Sequence, residues 1–259
     1  MNIKILVVTH KRYTMPSDPM YLPIQSGSAL NEDLGYQRDD EGDNISLKNN
    51  AYNIMCAKYW AWKNLDSDYI GVAHYRRHFS MKKRFNKNFE NVLNHDEATK
   101  IFHNVDIIVS PKRFYPFFTI KSHYIYTKGG YIKMHKRDIE VLRNIISEFH
   151  EQYLDSFDRA MKRCWYHSGS LFIMKRNLYN DYCEFIFSIG DEVERRLKNE
   201  RPDLNRYVAS LTELLLDVWI DKNNYSSKEI GLIEFERPNF LIKLFLFLRR
   251  SITGFYKGT

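Results

Sequence analysis

Apolar residues along this chain alternate between two spacings. Ile3-Lys4-Ile5-Leu6-Val7-Val8-Thr9 is a β-branched run of strand length ending in the polar cluster Thr9-His10-Lys11, which predicts a buried strand feeding a polar loop. Residues 12 to 45 hold Pro16, Pro19, Pro23, Gly27, Gly35 and Gly42 together with the acidic run Asp39-Asp40-Glu41-Gly42-Asp43, and read mostly as loop. From Ser46 to Asn64 the positions Leu47, Ala51, Ile54, Ala57, Tyr59, Ala61 and Trp62 approximate one helical stripe, with Ser46 as its N-cap. Asp68 to Ala73 predicts a second strand, ended by His74-Tyr75-Arg76-Arg77-His78-Phe79, and Val105 to Ser110 a third, stopped by Pro111. Ile139, Leu142, Ile145, Ile146 and Phe149 mark an amphipathic helix between Asp138 and Leu154. A fourth strand is predicted from Ser170 to Met174, helices over residues 178–199 and 206–220, and a last short strand from Gly231 to Phe235.

Strands alternating with helices predict an α/β fold, a mostly parallel twisted sheet covered by helices on both faces. The chain has 259 residues, enough for one large domain, and we place that domain at 1–236 with a basic amphipathic helical tail at 237–259. Charge supports the division. The formal net charge is +7, but the tail contributes Arg237, Lys243, Arg249, Arg250 and Lys257 with no acid, leaving +2 for the rest. A body so nearly balanced, with no recognition motif, predicts no nucleic-acid partner. Phe240, Leu241, Leu244, Phe245, Phe247 and Leu248 are interleaved with the tail cations, a pattern suited to an anionic membrane surface or to packing on the body or a second subunit.

Cys56, Cys164 and Cys183 form no CxxC pair, Met1 leads into no signal-peptide pattern, and no uncharged apolar run reaches spanning length. The expectation is a cytoplasmic protein, peripheral at the inner face of the cell membrane. Dinucleotide, P-loop, serine-hydrolase and kinase signatures are absent, and His74, His78, His123, His135 and His167 lack metal-ligand spacing, so neither a resident cofactor nor a metal is predicted.

Three strand ends carry unusual residues: Thr9-His10-Lys11, His74-Tyr75-Arg76-Arg77-His78, and His167-Ser168-Gly169-Ser170. Ligands of open α/β sheets bind outside the carboxyl ends of the strands, and two arginines at such an end suit phosphate or carboxylate. The alternative is a solvated turn running into Lys82-Lys83-Arg84. Trp60, beside Tyr59 and Trp62, is either core or a stacking surface for a sugar or base. Glu213 enters an apolar helix, either on its solvent face or as a general base.

Gly42-Asp43-Asn44-Ile45-Ser46-x-Lys48-Asn49, Tyr59-Trp60-x-Trp62-Lys63-Asn64, Asp68-Tyr69-Ile70-Gly71 and His74-Tyr75-Arg76-Arg77 occur in order, followed by Tyr131-x-x-x-His135-x-x-Asp138, Phe172-Ile173-Met174-Lys175 and Glu213-Leu214. Together they resemble the capsular and exopolysaccharide biosynthesis family, long catalogued as a domain of unknown function, whose members resemble GT-A-type glycosyltransferases. The chain departs from that family in having Met55-Cys56 where a Glu is usual, and Ser170 where an Asn commonly opens the Phe-Ile-Met strand.

The resemblance implies a GT-A-like enzyme moving a sugar from a UDP-sugar to a lipid-linked oligosaccharide, with UDP-galactofuranose suggested by some relatives. The implied donor-binding set is Thr9, His10, Lys11, Asp43, Asn44, Trp60, His74, Tyr75, Arg76 and Arg77, with His-Tyr-Arg-Arg standing where other GT-A enzymes hold a divalent cation on Asp-x-Asp. Glu213 is the first expectation for the catalytic base, with His167 and His135 as alternates. A homo-oligomer is compatible with all of this. The rival expectation is a non-catalytic carbohydrate- or polyanion-binding component of a polysaccharide assembly complex.

Overall fold

The computed structural model describes residues 1–82, 88–126, 134–167, 169–200 and 205–236. The tail at 237–259, Tyr131, Ser168, Lys83 and Arg84 lie outside the described residues. The strands are β1 (Ile3–Thr9), β2 (Tyr21–Gln25), β3 (Gln37–Arg38), β4 (Tyr69–His74), β5 (Arg77–Ser80), β6 (Ile107–Val109), β7 (Arg113–Phe114), β8 (Trp165–Tyr166), β9 (Phe172–Lys175), β10 (Ser227–Glu229) and β11 (Gly231–Glu234). The helices are α1 (Asn49–Tyr52), α2 (Ile54–Asn64), α3 (His95–Phe102), α4 (Ile120–Tyr126), α5 (Lys136–Phe149), α6 (Leu154–Lys162), α7 (Arg176–Leu197), α8 (Tyr207–Thr212) and α9 (Leu215–Asn223).

The main sheet has the order β10-β6-β9-β4-β1-β2-β3, with β5 and β11 continuing from β4. Every pair along that order is parallel except those made by β9, which runs against both β4 and β6. Alternate residues of the strands serve two separate cores. Leu6, Val8, Ile70, Val72, Phe172 and Met174 face the layer of α2, α5, α6, α7, α8 and α9. Ile3, Ile5, Val7, Ile108 and Ile173 face α3 together with Phe79 and Ile233 from the β5–β11 pair. The expected α/β architecture, mostly parallel with helices on both faces, is the one observed.

Four local expectations are corrected. Residues 21–25 form a strand although Pro23 lies within it, because β3 pairs only with Ile24 and Gln25 and leaves one flank at Pro23 without a ladder. The helix expected over 46–64 is broken at Asn53, which has φ 44°. Ser46 is no N-cap, since its hydroxyl donates to Asp39 Oδ1 at 2.6 Å and accepts from the Ala29 N–H. The fourth strand starts at Phe172, because Gly169 and Ser170 have φ 90° and 53° and form a turn.

Two interactions set how the helical layer meets the sheet. The Arg176 guanidinium at the start of α7 donates to the carbonyls of Ala61, Trp62 and Leu65 at the end of α2, of which Ala61 also accepts the Leu65 N–H. In the sheet centre, Ile5, Gly71 and Ile173 lie in register on β1, β4 and β9. A Cβ at Gly71 would come 2.8 Å from Ile173 Cγ1 and 3.0 Å from Ile5 Cγ1, so the three strands pack only around a glycine. Gly71→Ala should therefore destabilise the protein by about 1–3 kcal/mol, the usual cost of overpacking a core, as read by the shift of the urea unfolding midpoint at unchanged m-value.

Candidate functional site

The carboxyl ends of β1, β4, β6 and β10 and the amino end of β9 lie along one edge of the sheet. All three unusual strand ends of the sequence meet there. At the end of β1 the buried Thr9 hydroxyl donates to the Lys11 carbonyl at 2.6 Å and accepts the Lys11 N–H at 3.1 Å. Thr9 thus shapes a turn from which His10 and Lys11 project. Beside it, β4 and β5 are joined by the two-residue turn Tyr75-Arg76, with His74 paired to Arg77 and the Tyr75 N–H donated to the Val8 carbonyl. The Tyr75 ring is the packing centre. His10 meets it edge-on at 5.4 Å, Tyr13 lies at 5.1 Å, and the Lys11 ammonium stands 5.0 Å from its centroid.

Three permanent cations therefore crowd two adjacent strand ends, and the chain at the end of β11 brings carboxylates to meet them. Glu236 accepts from Lys11 at 3.0 Å and lies 3.9 Å from Arg76, while Glu234 lies 3.4 Å from Arg77. The two pairs of Glu236 are exposed and contribute little to stability, so their geometry is open to exchange with another anion, while the Arg77–Glu234 pair is partly buried. The imidazoles here carry no charge at neutral pH. Burial, then the neighbouring Arg76 and Arg77, hold His74 down to about 3. Burial, then Arg206, Lys11 and Arg76, lower His10. His78, expected with this cluster, turns away on β5: it is fully buried, donates to the Tyr75 carbonyl at 3.1 Å, and burial lowers it to about 4.

The third strand end closes the site. Gly169 packs against Arg77, where a Cβ would stand 3.6 Å from its Nη1, and donates its N–H to Glu213 Oε1 at 2.6 Å. The other Glu213 oxygen accepts from the Tyr124 hydroxyl at 3.2 Å. His167 is gripped twice by Asp217, its backbone N–H donating to Oδ2 at 2.9 Å and its Nδ1–H to Oδ1 at 2.5 Å. That leaves Nε2 facing away from Asp217. Among the described residues it has no hydrogen-bond partner, and Glu229 Oε1 lies 3.7 Å away, itself held by Lys112 at 2.9 Å.

Other expected site residues lie elsewhere. Asp43 exchanges hydrogen bonds with Asn64 at the carboxyl end of α2 and accepts from the Tyr59 hydroxyl, while Asn44 bonds the carbonyls of Asp40 and Gly42 and the N–H of Ser46. Since α2 delivers the chain to the amino end of β4, these bonds draw the tip of the loop toward the opposite edge, while Asp39 and Ser46 hold its base to residues 27–29 beyond β2. A Cβ on Gly42, at φ 64°, would fall 2.2 Å from Asn64 Oδ1, so the Gly-Asp-Asn motif is accounted for by loop packing. Trp60 lies in the core with its indole N–H unpartnered among the described residues. His135 is exposed at the start of α5, where its backbone N–H donates to Asp138.

Sequence reasoning missed Asp217, Glu229, Glu234, Glu236 and Lys58. Glu213 and Asp217 are four apart in an apolar run, a spacing that shares a helical face and signals a common target. Lys58 is buried beneath the start of β9, its ammonium 5.2 Å over the Phe172 ring, and burial lowers it to about 8. The side chains at the β4–β5 turn do not fit a divalent cation, because they are themselves cationic. Among the described residues no group of three or more His, Cys, Asp or Glu side chains is arranged to hold one.

Residues 4–224 match the family described as Domain of unknown function (DUF4422). The fold is similar to that of the WbbM bifunctional glycosyltransferase in its apo structure, with a TM-score of 0.80 and 25% identity over 93% of this chain and 46% of that one. The chain thus spans about half the length of that protein. No curated protein matches it.

The depressed histidine gives the site a pH signature. His74 titrates near 3 in the folded protein and at the ordinary 6.5 when unfolded, so between those values the unfolded state binds more protons. Its contribution is present above pH 6.5 and is lost as the pH falls. His74→Gln should therefore remove about 1–2 kcal/mol of the stability loss between pH 7 and 5, measured by urea unfolding at each pH, and change little above pH 7.

Proposed function

The chain belongs to the DUF4422 family, and from that premise we propose that it is a nucleotide-sugar-dependent glycosyltransferase acting in capsular or exopolysaccharide synthesis. The donor is a UDP-sugar, UDP-galactofuranose being the one suggested by the sequence resemblance, and the acceptor a lipid-linked oligosaccharide. One observation carries the reading: Lys11, Arg76 and Arg77 converge from two adjacent strand ends on the edge where nucleotides bind in such sheets.

In this account the nucleoside lies against His10 and Tyr13, and the diphosphate over the Tyr75-Arg76 turn. Arg76 and Arg77 exchange Glu236 and Glu234 for phosphate oxygens, making forked, charge-assisted hydrogen bonds. As the bond between the anomeric carbon and the diphosphate breaks, its electron pair leaves with the phosphate oxygen, and the guanidiniums stabilise the charge that develops. The acceptor hydroxyl oxygen bonds to the anomeric carbon and passes its proton to His167 Nε2. Asp217 fixes the tautomer that makes Nε2 basic, the arrangement of a base oriented by a third group. Glu213, with both oxygens engaged, positions Gly169 beside Arg77.

The test is UDP release from UDP-sugars with a lipid-linked acceptor, in EDTA, alongside thermal shifts with UDP, ADP and GDP. UDP should stabilise the protein most and turnover should survive chelation. Arg77→Ala should weaken UDP binding by about 1.5–3 kcal/mol. His167→Gln should leave UDP binding intact while turnover falls roughly 10²–10⁴-fold. Activity lost in EDTA and restored by manganese would overturn the cationic substitution for a metal. Near-wild-type turnover in His167→Gln would return the base to Glu213, and UDP binding with no turnover would favour the carbohydrate-binding module.

A further inference from the structure

Beyond the donor site, the chain that leaves β6 builds an unusual surface. From Ser110 to Tyr126 it carries Lys112, Arg113 and Lys121 and no acid, with six aromatic residues. Its two-stranded ribbon pairs Arg113 with Tyr166 and Phe114 with Trp165. Tyr115 is buried and anchors the ribbon through its N–H to the Cys164 carbonyl at 2.7 Å. With that anchor in place, Phe114 and Phe117 point outward, 64% and 83% exposed, on either side of Pro116. Trp165 lies between cations, with Lys112 at 4.5 Å and Arg163 at 5.0 Å from its ring.

A lone exposed apolar residue needs no explanation, but two phenylalanines this exposed, on a braced projection ringed by basic side chains, do. Aromatic rings beside Lys and Arg are the composition of surfaces that sit at the boundary between lipid headgroups and acyl chains. We propose that the β7–β8 projection docks on an anionic phospholipid bilayer, with Phe114 and Phe117 entering the interface and Arg113 and Lys121 meeting the headgroups. Lys112 and Arg163 are already paired with Glu229 and Asp221, but Arg113 and Lys121 have no ion pair among the described residues, and it is these two that are complementary to an anionic surface. No helix of the described residues is long and apolar enough to cross a membrane, so this contact would be superficial.

The projection adjoins the site, since Trp165 contacts the His167 ring at 5.7 Å and Lys112 holds the Glu229 that faces Nε2. Docked this way, the protein would take its acceptor from the lipid surface directly beside the base. That last step rests on the transferase reading. The membrane contact does not.

The full chain would be sedimented with vesicles of phosphatidylglycerol and phosphatidylcholine, and with phosphatidylcholine alone. Wild type should bind the anionic vesicles, and the Phe114→Ser/Phe117→Ser double variant should bind about ten-fold more weakly or less, with unchanged melting temperature and UDP binding. The Phe117→Trp variant should give fluorescence quenched by brominated lipid, a readout local to the projection that binding through residues 237–259 would not produce. Equal sedimentation of the double variant and wild type would overturn the proposal. So would an absence of quenching in the Phe117→Trp variant, or a wild type that ignores vesicles but self-associates through these residues. Lost UDP binding in wild type would instead strike the donor reading and leave the docking result standing.

Discussion

β9 runs against its two neighbours, and that reversal determines what the functional edge of the sheet contains. Were it parallel, its amino end, with the Gly169–Ser170 turn and His167, would lie at the opposite edge from Lys11, Arg76 and Arg77. Because it is antiparallel, the turn packs on Arg77 and the Asp217-oriented histidine stands beside the ends of β6 and β10. At the sheet centre only a glycine at position 71 lets Ile5 and Ile173 close on β4.

Electrostatics at the edge follow from the same geometry. Three permanent cations in a small area would repel one another, and the structure offsets this in two ways. It keeps His74 and His10 neutral by burial and by those same cations, and it brings Glu234 of β11 and Glu236 just after it alongside. The carboxylates thus reduce the repulsion among the cations. Keeping Lys11 and Arg76 on exposed pairs also leaves them exchangeable, whereas a buried network would have to break charged hydrogen bonds at several kcal/mol each.

Much of this was legible in the sequence where one physical signal dominated. Continuous apolar runs marked β1, β4 and β6, and the spacing Ile139, Leu142, Ile145, Ile146 marked α5. The meeting of the first two polar strand ends followed from the expected parallel pairing, whereas the third joins them only because β9 is antiparallel, which no local pattern signals. What escaped depended on partners remote in sequence. Pro23 argued against a strand that survives only because β3 is short. Asp43 and Asn44 looked like ligand contacts, yet their bonds go to α2 and their own loop, and no local pattern reveals the partner Asn64. The apolar run starting at Ser170 did not show that Gly169 and Ser170, at φ 90° and 53°, form a turn that delays the strand to Phe172. Glu213 and His167 were both visible as candidates. Only the hydrogen bonds of Glu213 to Gly169 and Tyr124 distinguish an anchor from a histidine whose Nε2 is unpartnered among the described residues.

In the proposed function, guanidinium groups on the β4–β5 turn receive the diphosphate. A crystal structure of the full chain with UDP, grown in the presence of manganese, tests it most directly. The account predicts both phosphates within hydrogen-bond distance of Arg76 and Arg77, with Glu234 and Glu236 displaced and no metal between protein and phosphate. Phosphates bridged to a carboxylate by manganese, or seated by Asp43 toward the far edge of the sheet, would contradict it.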